Sequence, residues 1–234
     1  MIDDLLIQQF LELSKKEFED KTWGSTEQYT EVLEVLTEGD FPLIKRIEQL
    51  KDGTYAVYYA IKGEQFYYTH YFEATPQVKL RGDGVSPATA VYLRVHSDRI
   101  PLNELLSITT LNTTRKWQKG ELKNQNPTFP FFYNRKGIPT TFTDSGFFYE
   151  PDTNKAGNFE NKIATILTDL ENYKHELSIL SNAGCYMYIA TYWHSYYGNT
   201  DLGNIHLNKQ IIKQLSDLDL EINFDIYTGG EPFN

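Results

Sequence analysis

The stretch from Gly184 to Tyr227 places the strongest constraint on the fold. Cys185 to His194 is rich in aromatic and β-branched residues, among them Tyr186, Tyr188, Ile189, Thr191, Tyr192 and Trp193. That is the composition of a pleated, half-buried strand. Asn208 then offers an N-cap, and Ile211, Ile212, Leu215 and Leu218 follow at the spacing of a helix laid on a core. From Leu218 the chain alternates. Leu218, Leu220, Ile222, Phe224 and Ile226 point one way, and Asp219, Glu221, Asn223, Asp225 and Tyr227 the other. A period of two means one buried face and one wet face. The helical crossover is expected to return the second strand parallel to the first.

Upstream, residues 2–20 read as a helix. Ile2, Leu5, Leu6, Phe10 and Leu13 recur near its period, with Asp3 and Asp4 at the end where the dipole favours negative charge. Gly24 interrupts it. Ser25 and Gln28 form a capping box for a second helix carrying Tyr29, Val32, Leu33 and Leu36, and Gly39 ends it. A three-stranded meander follows over 43–50, 55–61 and 65–72, turning at Asp52-Gly53 and at Lys62-Gly63-Glu64. One of its faces packs on the helices. The other presents Tyr58, Tyr67 and Tyr71, either as an exposed contact surface or as a second buried face. Pro76, Gly82, Gly84 and Pro87 mark a boundary, which divides the chain into domains 1–80 and 81–234. Beyond it, Thr89 to His96 alternates as a strand, and Pro101 opens a short helix.

Next comes Thr113-Thr114-Arg115-Lys116-Trp117-Gln118-Lys119-Gly120-Glu121. Later segments are the glycine-led aromatic strand Gly146-Phe147-Phe148-Tyr149, a long helix near 158–180, the tyrosine-rich strand, the helix start at His206-Leu207-Asn208 and the final alternating strand. The long helix carries the apolar stripe Phe159, Ile163, Ile166, Leu167, Leu170, Tyr173, Leu177 and Leu180. This order resembles a bacterial family, domain of unknown function 4279, over about residues 88–228. Two departures stand out. Phe148 occupies a position where the family usually has tryptophan, and an Asn/Pro/Phe-rich insertion, Asn124 to Asp144, separates the Trp117 motif from its strand. The first 80 residues fall outside the resemblance. The family has no established activity, so the resemblance implies a fold and no chemistry.

The elements together predict an α+β protein. An N-terminal helix–helix–meander unit precedes a mixed sheet backed by helices on one face, of ferredoxin-like or split βαβ type.

Charge and composition narrow the function. The formal net charge is -10, which argues against nucleic acid as a partner. Residues 1–80 hold 8 basic against 15 acidic side chains, residues 81–145 hold 9 against 5, and residues 146–234 hold 5 against 12. Two acidic blocks thus flank a mildly basic middle, a balance that suits a basic protein partner. No apolar run approaches the ~20 residues of a bilayer span. The start Met-Ile-Asp-Asp lacks a basic n-region, so a cytoplasmic location is expected. The single cysteine, Cys185, excludes an internal disulfide and a multi-cysteine zinc site.

The commonest nucleotide, zincin and hydrolase signatures are absent, and no cofactor is implied. Cys185 alternates with Met187 and Ile189, as a core residue does. His194, Asp201 and His206 lie on one loop of the strand–helix–strand unit and form a candidate metal set, although each also fits an ordinary polar loop. Arg115, Lys116 and Lys119 around Trp117 form a candidate anion site, with the ring as a stacking surface. The alternative is Trp117 as a core anchor beside solvated cations. Asp217, Asp219, Glu221 and Asp225 make an acidic row, either solvated or a docking face for a basic protein. Three functions follow. The first is a non-enzymatic protein-binding module, for instance an immunity-type protein that neutralises a basic partner. The second is a small-molecule or anion-binding module around Trp117. The third is an enzyme using His194 and His206, for which the residue pattern offers least. Oligomeric state is not encoded in any of these features.

Overall fold

The computed structural model describes residues 2–123, 141–198 and 205–231. The Asn124–Asp144 insertion lies outside the described residues except at its last four positions. The fold is α+β, with a four-stranded antiparallel sheet and a five-stranded mixed sheet.

The N-terminal unit begins with α1 (Asp4–Asp20), capped by the Asp3 side chain on the Leu5 N–H. α2 (Gly24–Thr30) is shorter than its pattern predicts. Ser25 does not cap it; its hydroxyl donates to Asp83, and Thr26 donates to the same carboxylate at 2.9 Å. Beyond Thr30 the chain pairs elsewhere. Leu36 N–H donates to the Ala60 carbonyl at 2.8 Å, and Val35 bridges Ile61. A short hairpin, β1 (Thr37–Glu38) and β2 (Phe41–Pro42), leads into β3 (Ile44–Gln49), β4 (Tyr55–Ala60), β5 (Tyr67–Glu73) and β6 (Lys79–Ser86). These last four pair in sequence order as an antiparallel meander. The expected third strand therefore has a successor. Residues 79–86 are sheet, and Gly82 and Gly84 pair with Tyr71 and Thr69 of β5. The N-terminal sheet thus runs to Ser86, past the expected boundary at residue 80. Phe10, Val57, Tyr59, Phe66, Tyr68 and Phe72 fill its core.

The second unit runs β7 (Ala88–Ser97), α3 (Leu102–Ile108), β8 (Arg115–Trp117), β9 (Ser145–Tyr149), α4 (Phe159–Leu170), a 3-10 turn, α5 (Lys174–Asn182), β10 (Tyr186–Tyr196), α6 (Lys209–Asp217) and β11 (Glu221–Gly229). The strand order is β11-β10-β7-β9-β8, with β10 and β11 parallel and the other pairs antiparallel. The helical stripe expected over 158–180 divides at Glu171–Tyr173, where Asn172 is a weak helix former. Leu170 and Leu177 are buried on either side of the break. Asp219 adopts a left-handed φ of 56°. It turns the chain between α6 and β11, so Leu218 and Leu220 close the core ahead of the strand. Val91, Leu93 and Val95 of β7 and Met187, Ile189 and Trp193 of β10 meet the helices in one apolar cluster. Among the described residues no helix is long and apolar enough to cross a membrane.

Polar contacts join the units. Arg46 of β3 pairs with Asp152 at 2.5 Å, and the Asn154 amide donates to the Lys45 carbonyl at 3.1 Å. The Arg46 side chain passes Gly157 so closely that a Cβ there would sit 3.0 Å from Nε. Gly157 also has a φ of 122°, which a side chain disfavours. Tyr58 is 4% exposed and packs with Ala156, with Tyr67 and Tyr71 against the same cluster. Of the two outcomes expected for this face, burial is the one found at Tyr58, while Tyr67 and Tyr71 are half-buried. Tyr196 at the end of β10 crosses the other way, into the N-terminal core beside Phe66 and Tyr29.

Candidate functional site

Helices cover one face of the five-stranded sheet. Alternation sends the intervening side chains to the other face. In register across all five strands stand Glu221, Tyr188, Arg94, Phe148 and Arg115. The Arg94 guanidinium lies 5.4 Å from the Trp117 ring, 5.7 Å from Tyr188 and 5.9 Å from Phe148, within cation–π range. Further along the same face come Tyr92, Tyr192 and Tyr227, two, four and six residues from Arg94, Tyr188 and Glu221 in turn. The segment from Ile61 to Tyr67 of the N-terminal unit stands over this end, and the two units enclose a cleft of about 1020 Å³. That volume is at the upper end of small-molecule sites.

The cleft has an aromatic wall. The Tyr192 and Tyr227 rings lie 5.3 Å apart at 32°, and the Lys155 ammonium sits 4.9 Å over Tyr192. The Tyr192 hydroxyl donates to the Gln65 side-chain carbonyl at 2.8 Å and lies 2.9 Å from His194 Nδ1. With that donor committed to Gln65, the hydroxyl accepts from Nδ1–H, which leaves His194 Nε2 as an acceptor. Nε2 is buried and has no hydrogen-bond partner among the described residues. Burial holds the ring pKa below its usual value, so the imidazole is neutral. Burial also raises the Tyr192 hydroxyl, with Tyr227 adding to the shift, and pushes Tyr92 up to about 12.

The charged wall is Arg115, Glu150 and Lys155. Glu150 is 7% exposed, and burial raises its pKa against the opposing pull of Arg115, Lys155 and Lys162. The Arg115–Glu150 approach is 3.6 Å, too long for a hydrogen bond. Lys155 donates to a neutral group, the Gln65 carbonyl, at 3.3 Å.

The model of the family described as Domain of unknown function (DUF4279) matches residues 87–229. The chain belongs to this family. No curated protein matches the chain, and no solved structure does. The DUF4279 domain opens at Pro87, one residue after β6 ends, and spans every strand and helix of the second unit. It provides the aromatic and charged walls. Gln65, Phe66 and Glu64 of the facing wall precede the domain, so the cleft joins family and non-family residues.

Of the candidates around Trp117, the structure brings only Arg115 to the cleft. Trp117 is 1% exposed, stacks on Phe142 at 5.8 Å and donates Nε1–H to Asp144 at 2.6 Å. Its environment is that of a core anchor. Lys116 alternates to the opposite face of β8, and Lys119 Nζ donates to the Asp98 carbonyl at 2.8 Å. The metal candidates separate. His206 Nδ1 meets Glu160 at 2.7 Å, His194 pairs with Tyr192, and Asp201 lies outside the described residues. The described residues hold no group of three or more His, Cys, Asp or Glu suited to a metal. Cys185 is half-buried, and burial raises its thiol pKa, which keeps it protonated. In the acidic row, Lys213 pairs with Asp217 and Ser181 donates to Asp219 at 3.2 Å, while Glu221 and Asp225 are exposed on β11.

Tyr92, Lys155 and Gln65 do not stand out as site residues in the sequence, and Glu150, an acidic neighbour expected beside the row on the last strand, lies instead by Arg115 of β8. A signal for Tyr192 and His194 is present: the even positions 186–196 share one face, and that face is aromatic throughout except at Ala190. Gln65 and Lys155 come from a turn and a loop, where no periodicity points to them.

Proposed function

We propose that the chain is a non-enzymatic binding module whose ligand occupies the cleft between the two sheets. The observation that carries this reading is the 1020 Å³ volume lined by both units, with the Tyr192–Tyr227 ring pair on its wall. The lining groups are suited to holding rather than reacting. Tyr192 is neutral and committed to Gln65 and His194, and Glu150 is withdrawn from solvent. The test is a ligand-observed NMR screen of small organic fragments against the full chain, with hits repeated on Tyr192→Ala. Loss of binding in the variant supports the cleft. Hits that bind both proteins equally, or a screen without hits, would sink it.

A second reading, a basic protein partner such as the target of an immunity-type protein, is favoured by β11. This edge strand exposes Glu221 and Asp225, and Tyr227 is 51% exposed on the same face. Such a partner would lose affinity on Glu221→Lys with Asp225→Lys, most at low salt, and wild-type binding itself would weaken at high salt. Salt-insensitive binding that survives both changes would rule it out.

A further inference from the structure

The cations on the cleft wall are poorly neutralised by the protein itself. Arg115 approaches its acid, Glu150, at 3.6 Å and stands 5.8 Å over the Phe148 ring, so among the described residues its guanidinium fork makes no hydrogen bond to that acid. Lys155 has a neutral amide oxygen as its hydrogen-bond partner. The same cleft has an aromatic surface, Tyr92, Tyr192 and Tyr227, with the last two rings 5.3 Å apart. Flat rings beside under-satisfied cations call for a flat body that carries negative charge. We infer that the ligand is an organic anion with a planar aromatic body, its ring against Tyr192 and Tyr227 and its carboxylate, sulfonate or phosphate on Arg115 and Lys155. This inference rests on the cleft-binding reading above.

Two dyes of one shape separate the two claims. 1-Anilinonaphthalene-8-sulfonate carries the anion, and N-phenyl-1-naphthylamine lacks it. Each is titrated into the full folded chain and followed by fluorescence. The sulfonate should bind saturably at one site, about tenfold more tightly than the uncharged dye, the factor of one charge-assisted hydrogen bond. Arg115→Gln and Lys155→Gln should each cost the sulfonate roughly three- to tenfold more than they cost the uncharged dye, as expected for a contact to charge. Arg115 has a side chain 41% exposed, so its replacement leaves the core intact, which circular dichroism verifies. Tyr192→Ala should weaken both dyes. If both dyes bind wild type equally and neither charge change matters, the anion class is wrong while the cleft stands. If Tyr192→Ala spares both dyes, or neither dye binds at one site, the cleft reading fails and the inference falls with it.

Discussion

Glu48 on β3 accepts the backbone N–H of Asn158 at 2.7 Å and the Asn161 side-chain amide at 2.6 Å. One carboxylate of the N-terminal sheet thereby caps α4 of the DUF4279 domain, where the helix dipole favours negative charge. Glu48 is 9% exposed, so its removal leaves two half-buried donors without this acceptor. Glu48→Ala is expected to cost about 2–3 kcal/mol, and Glu48→Gln, which keeps one acceptor, less. Urea unfolding checks both. Because the cap spans the junction, both units should melt in one transition; separate transitions would refute the coupling.

Gly146 is the second prediction. It pairs with Trp117 across β8 and β9, and a Cβ there would lie 2.5 Å from the indole and 2.4 Å from the Val95 carbonyl. Gly146→Ala must push the ring aside, at a cost of about 2–4 kcal/mol. Tryptophan emission should shift to the red as Trp117 gains water. Unchanged emission and stability would contradict the packing.

A third prediction concerns acid. His70 on β5 is fully buried, with Nδ1 on Ser14 at 2.7 Å, its ring stacked 4.7 Å from Phe18, and Tyr59, Tyr68 and Phe72 around it. Burial lowers its pKa from 6.5 to about 4, against the opposing pull of Asp83 and Glu17. Above pH 6.5 the ring is neutral in both folded and unfolded chains and contributes no slope. Between 6.5 and 4 the unfolded chain takes up a proton that the folded chain refuses, so stability falls as pH falls. His70 alone should remove roughly 3 kcal/mol across that window. Ring nitrogen NMR should find His70 neutral at about pH 5, midway through that window. A protonated ring there, or a His70→Gln variant with the same pH slope as wild type, would refute the assignment.

These details bear on how much of the fold is legible in the sequence. Alternation in 218–227 and the aromatic run 185–194 reveal the parallel β10–β11 pair, because a period of two survives any tertiary context that buries one face. The Trp117 motif points to the family. The strand β6 is not legible: Gly82 and Gly84 read as breakers, yet they sit opposite Tyr71 and Thr69 in a paired strand. Burial of the Tyr58 face is one of the two outcomes the sequence offers, but its partner Ala156, a residue in a distant loop, is not legible. The cleft is hidden for the same reason. It arises where two units meet, and Gln65, Arg115, Lys155 and Tyr192 have no common spacing.

The most direct test of the cleft localises a ligand on it. With tyrosine rings labelled with carbon-13, 1-anilinonaphthalene-8-sulfonate is titrated into the full chain and each ring signal is followed. The account predicts that Tyr92, Tyr192 and Tyr227 shift together and saturate together, while Tyr29 and Tyr173, packed against the two cores, stay in place. Shifts confined to other tyrosines, or saturable binding that leaves those three unmoved, would contradict it.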